Sequence, residues 1–236
     1  SFRDPAGTLN NNIIAQVHLF QGVIQAGLDP VIVVIGSGEE YGLVRPEEVP
    51  VNEDTPLRPA NPYAVSKVAQ DFLALQYHYS HHLRTVRLRP FNHIGPRQAP
   101  GFVTADFAWQ LAQIEASQRP PVIQVGNLSA QRDFTDVRDM VRAYFLAATY
   151  GQAGQVYNVG SGVGHSIEGI LHTLIGLCRV PVQVEIDPER LRPSDVPVLI
   201  CDNTRFRLQT GWEARIPLEQ TLRDILDYWR KRVSSA

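Results

Sequence analysis

The chain has 236 residues, of which 44% are hydrophobic, so it can bury a sizeable core as one large domain or as a large and a small one. Its net charge of -2 and pI near 6.4 give no electrostatic reason to expect a nucleic-acid partner or a membrane surface. Two cysteines make no disulfide framework, and no apolar run is long enough to span a membrane. We therefore expect a cytoplasmic globular protein without nucleic-acid or membrane partners.

The first hundred residues predict part of a doubly wound parallel sheet. A polar lead-in at residues 1–10 precedes apolar residues at helical spacing, which end at Gly27, a natural helix stop. A β-branched run follows, as in a strand buried on both faces, and a later strand stops at Pro90. The predicted elements are a helix at about 10–27, a strand at 31–35, a helix at 62–82 and a strand at 85–89.

The pattern changes beyond Arg97, where helices and strands again alternate. We predict helices at about 104–117, 136–150, 167–178 and 217–233, with strands at 122–125, 156–159 and 182–186. The fold class is therefore α/β, a partial doubly wound, Rossmann-like parallel sheet with a smaller α/β substrate domain. Residues 1–97, with segments returning near 127–161, are assigned to the sheet domain, and residues 98–236 mainly to the substrate domain.

Tyr63 and Lys67 stand four residues apart near the start of the predicted helix at 62–82. This spacing places both side chains on one helix face. Only two of the 22 basic residues are lysines, so the placement of one beside a tyrosine is notable. Because a nearby cation stabilises a phenolate, we expect Lys67 to lower the pKa of Tyr63 and prepare it for proton transfer.

Ser37 follows the strand at 31–35 in a glycine-flanked turn, at the edge where parallel sheets bind ligands. With Tyr63 and Lys67 it forms a set that can reduce or oxidise a carbonyl, provided that a nicotinamide supplies the hydride. Glu39 and Glu40 come next. Glu39 is a candidate base for abstracting a proton beside a carbonyl, although glutamates on a loop are more often solvated.

Residues 159–164 form a glycine-rich turn between a strand and a helix, with Glu185 about twenty residues later. This imitates a dinucleotide-binding fingerprint, but the third glycine comes one residue early. We therefore interpret the segment as a glycine-rich connection within the smaller domain.

Arg132 and Arg192 each fall in a loop between apolar elements. Two converging guanidinium groups would suit a diphosphate, whereas each alone is more often a surface ion pair. The sequence predicts no metal site.

Taken together, Ser37, the Tyr63 to Lys67 spacing and Arg89-Pro90-Phe91-Asn92 resemble the active site of the extended short-chain dehydrogenases/reductases that act on nucleotide sugars. The segments at 35–42, 91–96, 101–104, 125–128, 132–137, 191–197 and 211–213 are similar to one branch, the GDP-4-keto-6-deoxy-D-mannose reductases. The resemblance covers nearly the whole chain in order.

The resemblance implies a role for each matching residue. Ser37, Tyr63 and Lys67 would be catalytic, and the cofactor, NADP or NAD, would contact Ile35, Tyr63, Lys67, Pro90, Phe91 and Asn92. The substrate, a GDP-linked 4-keto-6-deoxy sugar, would contact Asn92, Thr104, Asn127, Arg132 and Arg192. Reduction at C4 would give GDP-D-rhamnose. The helices at 10–27 and 62–82 would form a four-helix bundle between the two subunits of a homodimer.

Two further interpretations stay open. The family begins with a strand and a glycine-rich loop that holds the cofactor pyrophosphate, and this chain starts after them, so a binding protein without catalysis is an alternative. The other is a GDP-mannose 4,6-dehydratase, with Glu39 as base, or another nucleotide-sugar epimerase or dehydratase. The GDP-mannose dehydratases usually have threonine at position 37.

Overall fold

The structure, a computed structural model, describes residues 1–191 and 196–234. Its helices are α1 (Pro5–Leu9), α2 (Ala15–Gln25), α3 (Pro62–His81), α4 (Val103–Glu115), α5 (Val137–Tyr150), α6 (Ile167–Leu177), α7 (Thr204–Thr210) and α8 (Leu218–Ser234). Its strands are β1 (Val31–Ile35), β2 (Arg84–Pro90), β3 (Asn92–Ile94), β4 (Val122–Val125), β5 (Gln131–Asp136), β6 (Val156–Val159), β7 (Gly164–Ser166), β8 (Gln183–Ile186) and β9 (Val198–Leu199).

Three parallel strands in the order β1-β2-β6 form the sheet predicted from the apolar runs. Ile35 lies opposite Leu88, and Pro90 lies opposite Val159, so the carboxyl ends of the strands meet at one edge. Within residues 1–191 and 196–234, β1 pairs with no strand on its other side. The predicted α/β class with a Rossmann-like parallel sheet is confirmed.

Helices cover both faces of this sheet. On one face, Phe20 of α2 and Tyr77 of α3 pack against Val34. On the other face, Met140 of α5 and the buried Trp212 pack against β2 and β6. Because β2 is covered from both sides, all of its residues after Arg84 are buried, the charged Arg87 and Arg89 as well as the apolar Val86 and Leu88.

The first helix begins earlier than the sequence predicted. The Asp4 side chain accepts a hydrogen bond from the Gly7 backbone N–H at 2.8 Å, and Pro5 takes the first helical position. The chain then remains helical through a π-helical segment, Asn10–Ile14, into α2. The polar lead-in therefore belongs largely to the helix, since capping residues outweigh its lack of apolar residues.

A second group of elements lies beyond Arg97. β5 pairs with β3, β7 and β9, while β4 and β8 form a separate parallel pair. Apolar side chains of α4, α6 and α8 form one core with β4 and β5. The sequence did not predict β3, β5, β7, β9 or α7. The strands β3, β7 and β9 have only two or three residues, β5 has a single apolar residue, Phe134, and α7 is too short to show a helical period. No helix in the described residues is both long and apolar enough to cross a bilayer.

Candidate active site

Ser37 lies directly beyond the end of β1, where the chain turns sharply into a single 3-10 turn, Gly38–Tyr41. Its hydroxyl accepts a hydrogen bond from the Glu39 backbone N–H at 3.1 Å, and its own N–H donates to Glu40 Oε1 at 2.7 Å. A Cβ atom at Gly38 would lie 3.2 Å from the Phe91 ring, so glycine lets the turn pack against the neighbouring strand end. Ser37 is thus held from both sides of the turn.

Tyr63 and Lys67 reach the same edge of the sheet from the first turns of α3. Asn61 begins this helix by accepting a hydrogen bond from the Ala64 backbone N–H at 2.8 Å. The Ser37 side chain lies close enough to the Tyr63 hydroxyl to lower its pKa. Lys67 Nζ donates to the Ile35 carbonyl oxygen at 2.9 Å and lies 5.7 Å from the centroid of the Tyr63 ring. The three predicted catalytic side chains therefore converge at the carboxyl ends of the strands.

The pKa of Tyr63 moves opposite to the expected direction. Burial raises this pKa, and the nearby Ser37 side chain lowers it by less. Burial also lowers the pKa of Lys67, whose ammonium is directed to the Ile35 carbonyl. Tyr63 in this structure is thus a neutral phenol at physiological pH, which suits a proton donor.

The predicted cofactor contacts Ile35, Pro90, Phe91 and Asn92 all stand at the same edge. Ile35 and Pro90 end adjacent strands, and the Phe91 backbone N–H donates to the Val159 carbonyl at 2.8 Å. Asn92 opens β3 and is half-buried. Of these residues, Ile35 contacts Lys67 directly, while Pro90 and Phe91 are buried.

Glu39 and Glu40 differ although they are neighbours. Glu39 is exposed and accepts a hydrogen bond from Asn61 Nδ2 at 3.0 Å, so it lies beside the start of α3. Glu40 is fully buried, against the expectation that these loop glutamates are solvated. The turn after Ser37 directs it inward, which the sequence alone did not indicate.

A buried ionic network lies beneath the site, and sequence reasoning missed it. Asp71 of α3 accepts from Arg87 Nη1 and from Arg89 Nε, each at 2.8 Å. Arg89 Nη1 also donates to the Tyr41 hydroxyl at 3.0 Å. One signal was available, since Asp71 follows Lys67 by four residues and so shares its helix face.

The predicted substrate contacts differ in their burial and in the elements that carry them. Thr104 is fully buried in the first turn of α4, with its hydroxyl 3.4 Å from Gln98 Oε1. Asn127 accepts hydrogen bonds from Ser129. Arg132 lies on β5, two residues before the residue that pairs with Asn92, while Arg192 lies outside the described residues.

The glycine-rich segment at 159–164 does not hold a free anion-binding loop. The backbone N–H groups of Ser161 and Gly162 both donate to the buried Asp133 carboxylate at 2.8 Å, and the Ser161 hydroxyl also donates to it at 2.6 Å. A carboxylate of the protein thus occupies the position that a phosphate takes in a dinucleotide fingerprint. The segment is a structural connection, as predicted, but it joins β6 of the three-stranded sheet to β7 of the second group and does not lie within the smaller domain.

Within the described residues, no group of three histidine, cysteine or acidic side chains is arranged to hold a metal ion.

Comparison with known proteins agrees with this site. The family described as GDP-mannose 4,6 dehydratase matches residues 1–225. The chain is 37% identical over 233 residues to the GDP-6-deoxy-D-mannose reductase of Pseudomonas aeruginosa, with 99% of this chain and 77% of that protein covered. It is 28% identical to the GDP-mannose 4,6-dehydratase of Sinorhizobium fredii, with 95% and 68% covered.

A solved structure of RMD from Pseudomonas aeruginosa, described as complexed with NADPH, superposes with a TM-score of 0.93 at 36% identity, covering 98% of this chain and 77% of that one. Together with the convergence of Ser37, Tyr63 and Lys67, these matches show that the chain belongs to the GDP-mannose 4,6-dehydratase family of oxidoreductases, among the extended short-chain dehydrogenases/reductases that act on nucleotide sugars.

Proposed function

We propose that the chain reduces the C4 ketone of GDP-4-keto-6-deoxy-D-mannose to GDP-D-rhamnose, using NADPH or NADH. The observation that carries this proposal is the convergence of Ser37, Tyr63 and Lys67 at the carboxyl ends of the strands, with Lys67 Nζ 5.7 Å from the centroid of the Tyr63 ring. The 37% identity to a GDP-6-deoxy-D-mannose reductase supports the sugar nucleotide, and the NADPH described in the RMD complex supports the cofactor.

The side chains at the site have complementary roles in this reaction. The Ser37 hydroxyl donates a hydrogen bond to the ketone oxygen and holds it beside Tyr63. As negative charge develops on that oxygen, Tyr63 transfers its phenolic proton, which its raised pKa keeps available. The nicotinamide supplies the hydride, which none of these side chains can provide.

The residues present fit a nicotinamide nucleotide. An ammonium has three N–H donors, and the Ile35 carbonyl accepts one from Lys67, so this side chain can also hold ribose hydroxyls. Ile35 is half-buried and can offer apolar surface to the ring, whereas Pro90 and Phe91 are buried at the same edge. Asn92, Thr104, Asn127, Arg132 and Arg192 are proposed to bind the sugar and the diphosphate.

Incubation of the protein with the keto sugar nucleotide and NADPH or NADH tests the proposal. Loss of nicotinamide absorbance in proportion to formation of GDP-D-rhamnose is the expected result. The reductase assignment fails if the sugar nucleotide binds and neither cofactor is oxidised, and that outcome would favour the alternative of a binding protein without catalysis.

A second candidate function is dehydration of GDP-mannose, for which Glu39 would be the base. Its support is the position of Glu39, hydrogen-bonded to the Asn61 cap of the helix that carries Tyr63. Incubation with GDP-mannose and oxidised cofactor separates the two functions. Formation of the 4-keto-6-deoxy sugar by the wild type, lost in Glu39→Gln, would assign a dehydratase, whereas the reductase proposal expects no product.

We also propose a homodimer, formed through the outer faces of α3 and of the helix that runs through α1 and α2. Val65, Phe72 and Tyr79 of α3 are 44%, 52% and 71% exposed and recur every seven residues, which is the spacing of a helix-packing seam. Leu19 of α2 is also exposed, at 56%. Phe72→Glu should convert a dimer to a monomer in sedimentation equilibrium, while Leu208→Glu, at an exposed position on α7, should leave the dimer intact.

The parallel sheet and the second group of elements have separate hydrophobic cores. This supports the proposed division into a cofactor-binding part and a substrate-binding part. Residues 1–97, with segments near 127–161, would bind the cofactor, and residues 98–236 would mainly bind the sugar nucleotide. Phe206 and Trp212 also pack on the sheet, so the chain returns to the cofactor side again after residue 200. We assign the protein to the cytoplasm, where nucleotide sugars and reduced cofactor would both be available.

A further inference from the structure

Glu40 lies between the turn that presents Ser37 and the buried ionic network around Asp71. It is fully buried, and its Oε1 atom accepts the Ser37 backbone N–H at 2.7 Å. A Cβ atom at Gly36 would lie 2.2 Å from that same Oε1, so the glycine before Ser37 makes room for the carboxyl group. The carboxyl group of Glu40 is therefore built into the turn that presents Ser37.

The second oxygen of Glu40 is directed toward the buried ionic network. Oε2 lies 3.3 Å from Arg89 Nε, but that N–H is already donated to Asp71, and Oε2 has no hydrogen-bond partner as an ionised oxygen. The carboxyl groups of Glu40 and Asp71 are within hydrogen-bonding reach of each other. A proton on Oε2, donated to the Asp71 carboxylate, would satisfy both groups.

Electrostatics agrees with a protonated Glu40. Burial and the neighbouring Asp71 carboxylate together raise its pKa to about 8, although Arg89 acts in the opposite direction. Two carboxyl groups in contact cannot both ionise without strong repulsion. Arg87 and Arg89 already bind Asp71, so the geometry assigns the shared proton to Glu40.

We propose that Glu40 is a positioning residue of the active site, whose protonated carboxyl group links the Ser37 backbone N–H to the Asp71 carboxylate. This inference deepens the proposed function and rests on it. Asp71 lies on the same face of α3 as Tyr63 and Lys67, so the link fixes the serine turn against the helix that carries the tyrosine. Loss of the proton would set two carboxylates against each other beneath the site.

The charged and titratable groups around Glu40 define what its ionisation would change. Lys67 and Asp71 face Glu40 from α3, and Arg89 faces it from β2. Tyr63, in the first turn of α3, is also close enough to interact with its charge. A negative Glu40 raises the pKa values of Tyr63 and of Lys67. The phenolic proton would become harder to transfer just as the turn loosens, so reduction should decline above about pH 8.

The decisive comparison is between Glu40→Gln and Glu40→Leu, with Glu53→Gln as the matched control. A glutamine keeps both links, because its carbonyl accepts the Ser37 N–H and its amide donates to Asp71, whereas leucine keeps neither. We expect kcat of Glu40→Gln within about twofold of wild type and that of Glu40→Leu at least about tenfold lower, with KM little changed. Glu53 is also a buried glutamate that accepts a backbone N–H, from Asn158, and it lies 3.5 Å from Arg205. Its substitution therefore tests the loss of a buried carboxylate outside the Ser37 turn.

The pH profile adds a measurement that a purely structural role would not move. The decline of kcat above about pH 8 should be present in wild type and in Glu53→Gln and absent in Glu40→Gln. The proposal is overturned if Glu40→Gln is as impaired as Glu40→Leu, or if its alkaline decline is unchanged.

A readout independent of turnover keeps this test separate from that of the proposed function. In protein labelled with ¹³C at the glutamate carboxyl groups, one resonance should titrate near pH 8, disappear in Glu40→Gln and persist in Glu53→Gln. The Ser37 amide resonance should titrate with it. If every glutamate titrates below about pH 6, the shared proton does not exist, whether or not the wild type reduces a keto sugar.

Discussion

The interior beneath the candidate site and the core between α4, α6 and α8 are built differently. Leu171, Leu174 and Leu226 are fully buried in a core made of apolar side chains. Between β2 and α3, by contrast, Asp71 and Arg89 are buried at 1% and 4% exposure and are bound to each other. Apolar burial stabilises the fold without directing any group, whereas buried charges each require a partner at a defined position.

This difference indicates which region sets the geometry of the site. A shift of an apolar side chain loses some contact, but a shift of α3 against β2 would separate ion pairs that have no access to water. Substitutions in the core between α4, α6 and α8 should therefore change stability alone. Substitutions between β2 and α3 should change both stability and activity.

The largest effect is expected from Tyr63→Phe, which removes the proposed proton donor and leaves its ring in place. The variant should lower kcat by about 10² to 10⁴-fold, with nearly unchanged binding of the sugar nucleotide, as measured by steady-state kinetics and calorimetry. Tyr150→Phe, at an exposed tyrosine of α5, is the matched control. Retained activity would remove Tyr63 from its proposed role.

Asp71→Leu should have the next largest effect, because it leaves Arg87 and Arg89 buried without their shared carboxylate. We expect a loss of about 3–5 kcal/mol in the free energy of unfolding, measured by urea denaturation, together with reduced kcat. A loss below about 1 kcal/mol would mean that water reaches the arginines and that the network does not hold the helix.

Leu171→Ala tests the apolar core. Leu171 is fully buried, so the cavity should lower the free energy of unfolding by about 2–5 kcal/mol. The ratio kcat/KM at a temperature where the variant is folded should equal that of wild type. A changed ratio would show that the two regions are coupled more tightly than their separate cores imply.

The smallest effect is expected at Glu48, whose pair with Arg58 lies in the loop before α3. Hydrogen bonding to Arg58 lowers the pKa of Glu48 from 4.5 to about 2, so the folded state binds this proton less readily than the unfolded state. The stabilisation is complete above about pH 4.5 and is lost as the pH falls toward 2. Thermal melts should show Glu48→Gln less stable than wild type at pH 7 and equal to it near pH 2.

Glu47→Gln, at the exposed neighbouring glutamate, should melt like wild type at both pH values. An equal deficit for Glu48→Gln at neutral and acidic pH would mean that lost packing, not the lost charge, destabilises the variant.

Much of the sheet could be predicted from sequence because its signals are local. The apolar run of β1 and the Asn61-Pro62 start of α3 each depend on a few adjacent residues. The start of the chain was misread because capping by Asp4 outweighed its polar composition. The shortest strands depend on pairing partners far along the chain, as β9 does on β5, and no local pattern encodes such pairing.

The candidate site divides in the same way. Ser37, Tyr63 and Lys67 could be found because chemistry restricts their types and a helix fixes the spacing of two of them. Glu40 and Asp71 could not, because the burial of a charged side chain depends on which partner the fold brings to it. The pKa of Tyr63 was misjudged for the same reason, since its burial is not visible in the spacing to Lys67.

The two faces of α3 have a consequence for how the molecule would respond to ligands. Its inner face carries Tyr63 and Lys67, and its outer face carries the seven-residue apolar seam with Phe72 at its centre. Suppose that two copies associate through that seam. A substrate bound at Tyr63 and Lys67 would then stabilise the same position of α3 that the partner subunit stabilises. Linkage requires such coupling to be reciprocal, so association would tighten substrate binding by the same factor by which substrate tightens association.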